Sequence, residues 1–130
     1  MKGIAVFQGK LKGSYCTFYQ DSPNLPVKIN GHINNLVPGK HGFHVHTYGN
    51  LLNDSNSHVG DLGNITANEE GESKFHIKSE IMTLYGKNSI LGRSIVIHEG
   101  IDDLGKGGFS DSLTTGHSGA RIDCAVIGYA

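Results

Sequence analysis

The chain has 130 residues, 11 Lys+Arg against 12 Asp+Glu and a net charge of −1, which leaves room for one domain spanning residues 1–130. That balance gives no reason to expect nucleic acid or an anionic membrane as a partner. Two cysteines are too few for a disulfide scaffold, and 37% hydrophobic content without tryptophan suits a thin core. The 19 glycines are about twice average usage and argue for many turns over a helix bundle. Short alternating or β-branched runs recur along the chain. Ile4-Ala5-Val6-Phe7, Tyr15-Cys16-Thr17-Phe18-Tyr19 and Val27-Lys28-Ile29-Asn30-Gly31-His32-Ile33 come first. Gly42-Phe43-His44-Val45-His46, Ile65-Thr66-Ala67 and Lys74-Phe75-His76-Ile77-Lys78 follow. Met82-Thr83-Leu84, Ser94-Ile95-Val96-Ile97-His98 and Cys124-Ala125-Val126-Ile127 complete the series. Turn residues separate these runs at intervals of roughly 8–12 residues, the pattern of an all-β sandwich or barrel.

Two stretches read as functional loops: residues 47–64, rich in Asn, Gly, Asp and Ser, and residues 99–121, rich in Gly. Loops longer than about 12–15 residues in a compact domain usually carry function or are disordered. No apolar stretch is long enough for a membrane helix and no targeting segment is visible, so the expected location is cytoplasmic. The Asn, Lys and Ile content hints at an AT-rich genome; for a viral source the compartment would be the host cytoplasm.

The chemistry concentrates in the eight histidines. His44 and His46 lie two apart on an expected strand, so both side chains point to one face and can hold one metal ion. His98 ends another strand and opens the second loop. His58 and Asp61 have ligand-like spacing in the first. Imidazole suits zinc, copper, iron and nickel, and copper(II) binds most tightly of these. The alternative for His44 and His46 is a pair of partly exposed strand residues. His32, His41 and His76 read as ordinary strand histidines, and Cys16 as a small buried hydrophobe.

Four segments resemble the copper/zinc superoxide dismutases: HGFHVHTYGN (41–50), HVGDLGNITA (58–67), SILGRSIVIHEGIDDLGKGG (89–108) and TGHSGARIDCAVIGYA (115–130). The resemblance implies an eight-stranded Greek-key β-barrel or sandwich with two long functional loops. It implies an oxidoreductase that converts superoxide to dioxygen and hydrogen peroxide by copper redox cycling, in antioxidant defence. His44, His46 and His98 match copper ligands, and His58 and Asp61 match zinc ligands. Asp102 matches a carboxylate that bridges ligand imidazoles of the two metals and fixes their orientation. Arg121 matches the arginine that attracts and docks the superoxide anion. Lys106 and Thr115 fall at channel positions, and Thr114 stands where many members carry a steering lysine. Cys124 matches one half of the family's disulfide. Ile90, Leu91, Gly92, Val126 and Ile127 match a homodimer interface.

One departure is local. The family's first long loop is longer, and Leu51-Leu52 reads as a seam. The stretch absent there would hold the bridging histidine, a further zinc ligand and the cysteine partner of Cys124. A second reading follows from it: a catalytically impaired dismutase-like module that binds copper or a partner.

Overall fold

The computed structural model describes residues 1–46, 61–100 and 121–130, and for His46 and Asp61 the backbone alone. The described chain is all strand, in two antiparallel sheets. The first sheet joins β1 (Lys2–Val6), β2 (Tyr15–Tyr19), β3 (Val27–Ile33), β6 (Ser73–Ser79) and β9 (Gly128–Tyr129), in the order β6-β3-β2-β1-β9. The second joins β4 (Gly39–His46), β5 (Asp61–Ala67), β7 (Ser94–His98) and β8 (Arg121–Val126), in the order β5-β4-β7-β8. β6 pairs with β3 after the chain has visited the other sheet, and β9 is a two-residue continuation of β8 that crosses back to β1. This is the barrel-like sandwich expected from the sequence.

Period-two alternation builds the core. Ala5, Cys16, Phe18, Val27, Ile29 and Ile33 point inward from one sheet. Phe43, Val45, Ile65, Ile95, Ile97 and Ala125 meet them from the other. At the centre of β3, Gly31 pairs with Phe75, and a Cβ on Gly31 would come within 2.1 Å of the Phe75 ring. The missing side chain lets that ring lie over β3 and meet Phe43 edge-on, with centroids 5.1 Å apart.

Three expectations change. Met82-Thr83-Leu84 is not a strand: the Met82 amide donates to Ser79 Oγ and the Leu84 amide to Gln20 Oε1. Side chains satisfy these donors, so no neighbouring strand is needed. The first loop ends sooner than expected, because Asp61 already opens β5. Finally, Ile90 and Ile127 are fully buried in the core, so their side chains do not form a dimer surface. Leu91, Gly92 and Val126 remain partly or fully exposed.

Candidate metal centre

The outer face of the second sheet carries the candidate site. On β4, His41, Phe43 and Val45 share one parity and His44 and His46 the other. Phe43 and Val45 point into the core, so His44 faces outward. The register sets Val96 across from His44 on β7, and His98 follows Val96 on the same face. Both histidines are nonetheless buried, and their ring centroids are 5.0 Å apart with a 51° tilt. The ladder is irregular beside each of them, between Gly42 and His44 and between Ile97 and His98. Such irregularities re-aim side chains next to functional sites.

The neighbouring strands add two charged positions. Asp61 is the register partner of His44 on β5, and Arg121 that of His98 on β8. Arg121 is exposed. The backbone of His46 lies one rung beyond Val45, opposite Ser94. The side chains of His46 and Asp61 lie outside the described residues, as do His58, Asp102, Lys106 and Thr115 entirely. Among the described residues no cluster of three or more metal-ligating side chains forms. The donor set that is described, two close buried imidazoles, is one that copper accepts, as do zinc, iron and nickel.

The residue that sequence reasoning passed over is His41. It is buried, with Nδ1 2.9 Å from the His98 backbone oxygen and Nε2 2.6 Å from that of Val37. Both ring nitrogens are thereby occupied, so His41 supports the site from the core side and does not ligate. Its parity with Phe43 and Val45 was the available signal. A second tie lies beside it, where the Gly42 amide donates to the Gly100 oxygen at 2.8 Å.

Cys124 is exposed and opposite Val96, whereas Cys16 is buried in the first sheet. Both are free, and with only these two cysteines no disulfide forms within the chain. Burial pushes the Cys16 thiol up to about 12.

Comparison with known proteins fits this geometry. The family model described as copper/zinc superoxide dismutase (SODC) matches residues 12–57 and 50–127. The chain is 42% identical over 147 aligned positions to superoxide dismutase (Cu-Zn) 5 of Dictyostelium discoideum, covering 98% of this chain and 97% of that protein. Because this chain has 130 residues, at least 17 of those 147 positions face a gap in it. The two matched segments overlap at 50–57, across the Leu51-Leu52 seam.

Proposed function

The chain belongs to the copper/zinc superoxide dismutase family, and from that premise we propose that it disproportionates superoxide at a copper site. The observation that carries the proposal is the pair of buried imidazoles, His44 and His98, 5.0 Å apart on the outer face of the second sheet. His44, His46 and His98 would hold the copper. Bound there, copper would supply one-electron redox chemistry: one superoxide is oxidised to dioxygen, and a second, with two protons, is reduced to hydrogen peroxide. Arg121, on the rung of His98, is the residue proposed to draw in and orient the anion. A fixed cation at a charged-substrate site raises the encounter rate and stabilises the bound anion. Asp102, Lys106 and Thr115 are proposed to act beside it, Asp102 by fixing ligand imidazoles and the other two along the channel.

His58 and Asp61 are proposed zinc ligands, with Asp61 placed on the rung of His44. Zinc has no redox role and would order the adjoining loop. A twofold homodimer through Leu91, Gly92 and Val126 is also proposed, as is a cytoplasmic location. Among the described residues no helix is long and apolar enough to cross a membrane.

The test is copper content together with superoxide consumption for the wild type, His44→Ala and His98→Ala. Loss of copper-dependent activity in both variants is expected, and unchanged activity in either overturns the copper assignment. A copper-loaded wild type without activity would favour the second reading, an impaired copper-binding module.

A further inference from the structure

The outer face of the five-stranded sheet takes no part in the chemistry above. Its charge distribution is uneven in a way that the chain's net charge of −1 conceals. Along β6, Lys74, His76 and Lys78 alternate outward and are all exposed. Alternate residues on a strand lie roughly 6.8 Å apart, so the three form a straight basic stripe about 14 Å long. Lys28 on β3 is the register partner of Lys78. Like charges directly opposite across a ladder destabilise it. Neither lysine is in an ion pair with a carboxylate among the described residues, where Glu72 instead serves His32, at 2.9 Å, and Lys74, at 3.9 Å.

Aromatic rings share this face. Tyr15 and Tyr19 project outward from β2, 42% and 38% exposed. Tyr19 lies on the rung of Lys28 and Lys78, and Tyr15 on that of Lys74. Local contacts hold both tyrosines: Tyr15 meets the His32 ring edge-on at 6.1 Å, and the Tyr19 hydroxyl donates to Asp21 Oδ1 at 3.0 Å. Between stripe and rings lies Asn30, whose Oδ1 is hydrogen-bonded to His76 Nδ1.

We propose that this face binds single-stranded nucleic acid. Phosphates lie along Lys74, His76, Lys78 and Lys28, and bases reach across β3 to stack on Tyr15 and Tyr19. A linear polyanion relieves the Lys28–Lys78 repulsion, and a basic track beside exposed rings is the arrangement that binds single strands without sequence preference. Sulfated polysaccharide or anionic lipid would use the lysines but has no bases to stack on the rings.

The experiment is fluorescence anisotropy of an end-labelled oligothymidine with the full chain between about 20 and 150 mM salt. Saturable binding is expected, weakening with salt along a log–log slope of about 2, as three phosphates neutralised by Lys28, Lys74 and Lys78 require for a single strand. The double variant Lys28→Glu/Lys78→Glu should weaken binding at least about tenfold and flatten that slope. Tyr15→Leu/Tyr19→Leu should weaken it at least about fivefold and leave the slope unchanged. Copper content and thermal midpoint serve as fold controls, because neither pair touches the candidate metal centre. Absence of binding, indifference to either double variant, or equal affinity for a sulfated polysaccharide overturns the proposal.

Discussion

Nδ1 of His41 lies 2.9 Å from the backbone oxygen of His98, so a core histidine on β4 holds the strand end that carries a proposed copper ligand. Its other nitrogen reaches the Val37 oxygen at 2.6 Å. Both partners are carbonyl oxygens, which only accept, and a neutral imidazole carries one N–H, so the tautomer sets which of the two it donates to. His41→Ala leaves these oxygens without that donor and opens a cavity. The expected loss is about 2–4 kcal/mol of folding stability. It is read as a lowered urea midpoint of the metal-free protein, together with weaker copper binding. An unchanged midpoint would show that the tie is dispensable.

The strands were legible because alternation is local: Phe18, Ile29, Phe43 and Ile97 announce the inner face from their own segments. The same parity placed His44 and His46 together. The pairing of His44 with His98 was not legible from spacing, because it depends on which strands become neighbours and on two ladder irregularities. The family resemblance supplied it instead. Met82-Thr83-Leu84 misled for a related reason: its apolar residues are buried, but one nearby side chain, Ser79, and one distant one, Gln20, bond its backbone. Ile90 and Ile127 were assigned by position in the family, and position does not say which way a side chain turns.

Asp123 closes the barrel near its last strand. Its Oδ2 accepts from the Gly9 and Leu11 amides, both at 3.0 Å, and its Oδ1 from the Cys124 amide at 2.8 Å. A Cβ on Gly9 would come within 2.7 Å of that carboxylate, so glycine is what lets the β1–β2 connection approach. Asp123→Ala removes an acceptor from three backbone donors. A loss of about 2 kcal/mol is expected, seen as a lower thermal midpoint. Gly9→Ala should also lower it, and full stability in both variants would contradict the closure.

Glu72 carries an acid-side dependence. The hydrogen bond with His32 holds its carboxyl below the ordinary carboxylate range; partial burial opposes this, while the charges of Lys74 and His32 add to it. A carboxylate depressed by folding stabilises fully above its unfolded value of about 4.3, and that contribution is lost as pH falls through the lower folded value. Glu72→Gln should therefore melt below the wild type at neutral pH. The gap should be small, as for an exposed pair, and should close in acid. A gap that widens in acid would reverse the assignment.

The thiols should separate cleanly. Cys16 is buried, and its raised ionisation leaves it a neutral thiol at neutral pH, whereas Cys124 is exposed. The thiolate is the reactive form. Iodoacetamide should add once to the native protein and twice after unfolding, counted by intact mass. Two native adducts would mean that the core opens, and none would mean that Cys124 is covered or oxidised.

Copper and zinc should part company in this chain. Copper is proposed to draw on His44, His46 and His98, while the second metal is left with His58 and Asp61. A structural zinc site normally takes four protein ligands. The other described histidines are committed elsewhere: both nitrogens of His41 face carbonyls, His32 pairs with Glu72, and His76 bonds its register partner Asn30 within the five-stranded sheet. At least 17 aligned positions of the Dictyostelium relative have no counterpart here, and the family match breaks into two segments that overlap at 50–57. After loading with equal copper and zinc and exhaustive dialysis, elemental analysis should find close to one copper per chain and clearly less zinc. His98→Ala should lose the copper without changing the zinc. Full zinc retention would mean that further donors complete that site, and the shortened loop would then impose no loss.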